Sequence, residues 1–329
     1  MAGEDILQKH YRSPFRVLPG QVQKAAMGET SGAVGGYLVP TDFTNQLLQA
    51  ISENSFIYPR AHVIPMRSLT TECPKVDAET AQSAATSPFF GGLIFKWGTS
   101  QAPSETEPKF RSDPLTAWDL LGYATVSNDW LEDANTEGED HLLKLFGMAA
   151  AWYLEYAFLQ GTGTSNQMPL GIINAPAAKT VSRHTPSQIL QVDIANMAAA
   201  MLPFSWKNAI WASSPACVAQ LIQVANFFLN VEANDEGGQV GSLLTRPVFI
   251  TEKLSTLGSL GDLIFFDPWL YVVGMRQEVL IDADTLGPAF KTNQTDFRVW
   301  LRADGKPQVQ SAITLQDGTT MVSPYIILK

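Results

Sequence analysis

Apolar side chains recur at three- and four-residue steps through Leu142, Leu145, Phe146, Ala149, Trp152, Tyr153, Tyr156 and Leu159. That stripe predicts a helix over about 137–160. Thr136 with Glu139 reads as its capping box, and Gly161 as its stop. Leu143, Ala150, Leu154 and Phe158 make the opposite side apolar too. A helix that is apolar nearly all round is expected to be buried on more than one side, a spine rather than a surface element.

Ahead of this spine the pattern is broken. Residues 1–35 lack helical periodicity, interrupted by Pro14, Pro19, Gly20 and the glycines of 28–36, and read as an extended arm. Phe15, Val17 and Leu18 give that arm apolar side chains with which to latch onto another subunit. Tyr37–Pro40 is extended, Thr41 or Asp42 can cap a helix through Leu47, Leu48 and Ile51, and His62–Met66 reads as a strand broken by Pro65. Residues 68–116 alternate polar, small-residue runs with Phe89, Phe90, Leu93, Ile94 and Phe95. A structureless loop of this length is improbable in a compact domain, so a long two-stranded excursion is expected. A lone ribbon is marginal in water, and a neighbouring subunit can supply the missing surface.

Beyond Gly161 the pattern mixes helices and short strands. Asp193 is placed to cap a helix through Ile194, Met197 and Met201, and Pro215 to start another through Val218, Leu221 and Ile222. Ala209–Trp211, Pro247–Ile250, Asp262–Phe266, Tyr271–Val273 and Val279–Ile281 read as strands, and 232–241 as a loop. The tail offers strands at 296–303, 308–313 and 321–328, with Asp304-Gly305 as a hairpin turn and Asp317-Gly318 as another turn. Late strands returning to earlier units imply domains built from discontinuous segments.

Composition sharpens this picture in two ways. Only 16% of the 329 residues are charged against 45% hydrophobic, which favours extensive subunit contact. The net charge of -10 and the lack of a basic run exclude an ordinary nucleic-acid binder, which needs clustered Lys and Arg. Cys73 and Cys217 match no metal or redox spacing and read as free thiols, suited to a reducing cytoplasm. No signal peptide and no apolar run long enough to span a bilayer is evident.

Catalytic constellations are missing. Gly161–Thr164 lacks the lysine of a phosphate loop and reads as a turn closing the spine helix. No nucleophile elbow occurs, and His10, His62, His141 and His184 form no metal-binding pair. Asp282 and Asp284 read as acidic residues at a strand end, and Asp129, Glu132 and Asp133 as helix-start charges. The dispersed tryptophans are expected in core or interface. No catalytic, cofactor-binding or metal residue is assigned, and no cofactor is expected.

In order, several segments resemble the Hong Kong 97-type major capsid protein family of tailed phages. Gly35–Pro40 looks like the passage from arm to body, and Val126–Asp133 like the run before the spine helix. The most specific piece is Glu155–Thr164 leading to Pro169, Leu170, Gly171 and Ile172. Asn208–Ser213, Leu244–Val248 and Gly261–Leu263 before Tyr271–Val273 are further landmarks. The likeness runs from about residue 35 to the end.

That resemblance implies an α+β chain with the Hong Kong 97-like capsid fold. Its parts would be an N-terminal arm (1–35), an extended E-loop (68–116), a peripheral domain with the spine helix (36–67, 117–185 and 286–310) and an axial domain (186–285 and 311–329). It implies hexamers and pentamers in an icosahedral shell, a virion capsid assembled in the host cytoplasm around double-stranded DNA held without sequence-specific contacts. The expected partners are further copies of the chain, a scaffolding protein, a portal protein and decoration proteins, with no membrane. The scaffolding segment that precedes the body in many relatives is missing before Met1, which implies separate encoding or removal. Lys96, Lys109 and Asn293 lie where some relatives cross-link, though no motif fixes them. Phe15, Phe89, Phe90, Ile94, Phe95, Trp152 and Leu154 are the candidate inter-subunit contacts. An encapsulin-like shell around protein cargo is the alternative; a tail-tube protein or an enzyme follows further behind.

Overall fold

A computed structural model describes residues 55–76, 110–133, 136–225, 227–229, 239–285, 288–315, 317 and 319–329. Strand β1 (His62–Pro65) is the first described strand, and β2 (Thr70–Val76) pairs antiparallel with β3 (Phe110–Thr116) from Thr70↔Thr116 to Val76↔Phe110. This pair joins the two ends of the expected excursion. The intervening 77–109, with Phe89, Phe90, Ile94 and Phe95, lie outside the described residues, as do Phe15 and the helix expected after Thr41. β4 (Trp118–Ser127) and α1 (Asn128–Asp133) then lead to the spine helix α2 (Thr136–Gln160). Asp129 lies in the first turn of α1, whereas Glu132 and Asp133 close it.

The C-terminal half supplies β5 (Lys179–Val181), α3 (Gln191–Ala200), β6 (Ile210–Ser213), α4 (Val218–Leu221), β7 (Phe227–Leu229), β8 (Gln239–Leu243), β9 (Arg246–Ile250) and β10 (Leu263–Phe266). It ends with β11 (Tyr271–Asp284), α5 (Pro288–Lys291), β12 (Gln294–Pro307), β13 (Ile313–Thr314), β14 (Met321–Val322) and β15 (Tyr325–Leu328). Two main sheets result, in strand orders β1-β11-β12-β4 and β5-β15-β10-β6-β9-β8-β7.

In the seven-stranded sheet both faces are covered. Ile210, Ala212, Ile264, Phe266, Tyr325 and Ile327 share one hydrophobic cluster with the spine residues Ala151, Leu154 and Phe158. The alternate residues Trp211, Leu263, Phe265, Ile326 and Leu328 pack with Ile194 and Met197 of α3. Burial of both faces is why these strands read as unbroken apolar runs. Only one face of the four-stranded sheet is buried, so β12 alternates: Thr295, Phe297, Val299, Leu301 and Ala303 point inward.

Several sequence expectations are corrected. Tyr271–Val273 and Val279–Ile281 form one strand, β11, which pairs with β1 and β12; it joins the four-stranded sheet instead of the unit spanning 186–285. β5, expected with 117–185, pairs parallel to β15 in the other sheet. Asp304-Gly305 is not a hairpin turn but continues β12, paired with Gly274 and Val273. The glycine is needed there for packing: a Cβ on Gly305 would lie 2.9 Å from Cε1 of Tyr271. Residues 308–312 form no strand, and 239–241, expected in a loop, begin β8. The span 321–328 divides at Pro324 into β14 and β15, which belong to different sheets.

Candidate assembly surfaces

The end of the spine helix explains its sequence signature. A helix leaves its last carbonyls without partners. Here the returning segment supplies them: Ile172 N–H donates to Phe158 O at 2.9 Å, Ile173 N–H to Leu159 O at 3.0 Å and Gly171 N–H to Gly161 O at 2.9 Å. Asn174 Nδ2 adds bonds to Gln160 O (2.9 Å) and Gly161 O (3.0 Å). The two backbones touch, so a Cβ on Gly171 would sit 2.5 Å from Gly161 N, and one on Gly161 would collide with Pro169 O. Gly161, Gly163 and Gly171 thus serve close packing, and Gly163 also has a φ of +75°.

Part of the spine's apolar surface faces solvent in the single chain. Leu154 is buried, as are Ala151, Phe158 and Leu159, but Tyr153 is 57% exposed and Leu145, Met148 and Tyr156 are exposed as well. Among the described residues, the sheets thus supply partners for one face of the spine only. Trp152 is half-buried, stacks on Tyr156 with centroids 5.6 Å apart, and donates its indole N–H to Glu252 Oε1 at 2.7 Å. Trp118, Leu120, Tyr153, Tyr156, Met168 and Pro169 border a cleft of about 490 Å3 beside it.

Behind that surface lies a buried polar hub. Glu155, 2% exposed, accepts the Phe56 N–H at 2.8 Å and the Ser55 hydroxyl at 3.2 Å, and forms an ion pair with Lys253. It joins the start of the described chain, the spine helix and the loop after β9. A second buried pair, Arg183–Asp262, lies beside the seven-stranded sheet, where Asp262 also accepts the Gly258 N–H at 2.9 Å. Sequence reading did not single out either pair, although a glutamate inside an otherwise apolar run was the available signal.

At the root of the β2–β3 ribbon, Asp304 is fully buried and accepts the Thr116 N–H at 2.7 Å and the Gly305 N–H at 2.8 Å. Burial pushes its carboxyl up to about 6, against the lowering effect of those two bonds and of Lys306. Cys73, Lys75, Asp113 and His62 border a pocket of about 300 Å3 beside this root. Cys73 is half-buried; Cys217 is buried, and desolvation pushes its thiol up to about 11, where it is a poor nucleophile. Both thiols are free.

Among the described residues no group of His, Cys, Asp or Glu could hold a metal, and no helix is long and apolar enough to cross a membrane. Asp282 pairs with Arg298 across β11 and β12 as ordinary strand chemistry. Asn293, the possible cross-linking residue, has a φ of 52° and donates to Asp129 Oδ1 at 2.8 Å.

Comparison with known proteins places these surfaces in a family. No curated protein matches the sequence. Among solved structures, the fold is similar to one described as the capsid of a native GTA particle, with a TM-score of 0.61 at 13% identity, over 85% of this chain and 90% of that one. It is also similar to structures from Mycobacterium phage Adephagia (0.56, 18% identity, 91% and 97% covered) and Microbacterium phage Oxtober96 (0.57, 13% identity, 84% and 91% covered). A sequence profile described as the phage capsid family matches residues 35–317, spanning the spine helix and most strands of both sheets. Sequence and fold agree, and the chain belongs to the phage capsid family.

Proposed function

We propose that this chain, a major capsid protein, self-assembles into hexamers and pentamers of an icosahedral shell that encloses phage double-stranded DNA. The family match over residues 35–317 carries the reading. The exposed apolar residues of the spine helix support it, because a soluble monomer seldom leaves such surface uncovered. The role is structural, not catalytic. The four-stranded sheet with the spine helix serves as the peripheral unit and the seven-stranded sheet as the axial unit, with 1–35 as the arm and 68–116 as the E-loop. Phe15, Phe89, Phe90, Ile94 and Phe95, with Trp152 at the spine, make contacts between subunits, while Leu154 supports them from the core. Scaffolding, portal and decoration proteins complete the particle in the host cytoplasm. The net charge of -10 leaves the DNA confined without tight contact.

Negative-stain microscopy of the purified protein, alone and co-expressed with a scaffolding protein, tests this. Closed shells or capsomer-sized rings are expected, and limited proteolysis should cut within 77–109 in free subunits but not in shells. Sedimentation as a monomer under every condition would overturn the proposal, and tubes or shells filled with protein cargo would redirect it.

A further inference from the structure

The four-stranded sheet has an outer edge, formed by β4, that no described strand occupies. β4 runs ten residues, paired without interruption to β12 from Trp118↔Ala303 to Ser127↔Gln294. It contains no proline, lysine or bulge, the devices by which proteins blunt such an edge. Along its outward face stand Asp119, Leu121, Tyr123 and Thr125; Leu121 is 63% and Tyr123 67% exposed. Several charged side chains on this face already have partners within the subunit. Arg302 pairs with Asp119, Arg298 with Asp282, and Thr125 Oγ1 donates to Asp296 at 2.8 Å. What remains at the centre of the edge is a neutral, apolar step of Leu121 and Tyr123.

We propose that β4 pairs antiparallel with β4 of a second copy about a two-fold axis at Gly122, joining two four-stranded sheets into one across a subunit boundary. This rests on the shell-building reading and names one contact within it. The sequence of β4 is self-complementary in that register. Leu121 meets Tyr123 of the second copy, an aliphatic–aromatic cross-strand pair, and Asp119 meets Thr125, a neutral side chain where a second charge would repel. No like charges oppose one another. Extending the rows through β12 sets Arg302, Asp119, Thr125 and Asp296 side by side, with the negative charges at separate ends of the Asp119–Thr125 contact. An isologous contact uses every such pair twice. Gly122, at the axis, has only Val299 Cβ near its missing side chain, at 3.7 Å, so the strand passes the axis without crowding.

Cysteine pairing reads the register directly. In a Cys73→Ser background, residues 121 and 123 of opposite copies stand within about 4.5–5.5 Å at Cβ, whereas 121 against 121 is a diagonal of about 7–8 Å. Mild oxidation of assembled particles should link copies into covalent dimers in the L121C/Y123C double variant and in co-assembled mixtures of L121C with Y123C. Neither single variant alone should do so. Independently, L121K or Y123K should fold normally by circular dichroism yet lose assembled particles. Particles that form but yield no dimer from the double variant, or that tolerate both lysines, overturn the proposal and leave the shell-building reading standing. Linkage of L121C to a cysteine at position 94 would give the edge to segment 77–109 instead. If the unsubstituted chain never assembles, the shell-building reading itself falls, and this contact with it.

Discussion

Glu155 Oε1 accepts the backbone N–H of Phe56 at 2.8 Å, across 99 positions of sequence, while its other oxygen pairs with Lys253. One buried carboxylate thus holds three separate stretches of chain. Glu155→Gln keeps the acceptor for Phe56 but leaves Lys253, 10% exposed, without its counter-charge. The expected loss is about 3–5 kcal/mol, measured by urea unfolding of the free subunit. Adding Lys253→Met removes the orphaned charge and should restore most of that loss. If the double variant is no better than the single one, hydrogen bonding rather than charge holds the hub.

On the spine helix the inward and outward residues should separate folding from assembly. Leu154→Ala is expected to cost about 2–5 kcal/mol, since its side chain is 4% exposed. Trp152→Ala should cost less, because the indole is only half-buried and rests on the exposed Tyr156 and on Glu252 rather than in the core. Tyr153→Ala, at 57% exposure, should change free-subunit stability by no more than about 0.5 kcal/mol while reducing particle yield. A Tyr153→Ala chain that assembles normally would show that this surface touches no neighbour.

Asp304 makes stability depend on pH in an unusual direction for a carboxylate. Its folded value, about 6, lies above the ordinary 3.8, so the folded chain binds its proton more tightly than the unfolded chain does. Its contribution is complete below pH 3.8 and is lost as pH rises through about 6. The size is on the order of 2–3 kcal/mol, from about 1.4 kcal/mol per pH unit. Asp317 acts in the opposite sense: bonds from Thr319 and Thr320 hold it down to about 2, and what it contributes is lost as pH falls from 3.8. The difference in urea midpoint between the native chain and Asp304→Asn should therefore change between pH 4 and 7. A constant difference would mean that Asp304 does not titrate there.

The glycines at the spine's end give a sharp contrast. Gly161→Ala and Gly171→Ala push a methyl into backbone atoms that cannot retreat, and each should cost more than about 3 kcal/mol. Gly122→Ala meets nothing closer than 3.7 Å and should leave the free subunit folded. Thermal melts of the three variants under one condition check this.

Local periodicity carried much of the architecture because the spine helix and the seven-stranded sheet satisfy their patterns within the element. Ile264 and Phe265 read as a buried strand because each has its own core to enter. Long-range relations were less legible. Nothing near Tyr271 indicates that its strand turns away from β10 to join β12, and Asp304-Gly305 carries turn chemistry although its carboxylate binds Thr116, 188 positions away. Gly161 and Gly171 were visible as motif residues, but the backbone contact that requires them is a tertiary fact. Assembly surfaces were hardest to read: whether Tyr153 meets a core or a neighbour depends on which face the sheets leave open.

The parallel pairing of β5 with β15 has a consequence for the order of synthesis. Lys179–Val181 leave the ribosome long before Tyr325–Leu328, yet β15 stands between β5 and β10 and is the only described neighbour of β5. Until residue 328 emerges, the widest sheet has a gap in its interior and its apolar strands have nowhere to close. A nascent chain lacking 325–328 should thus stay sensitive to protease, and the full-length chain should become resistant.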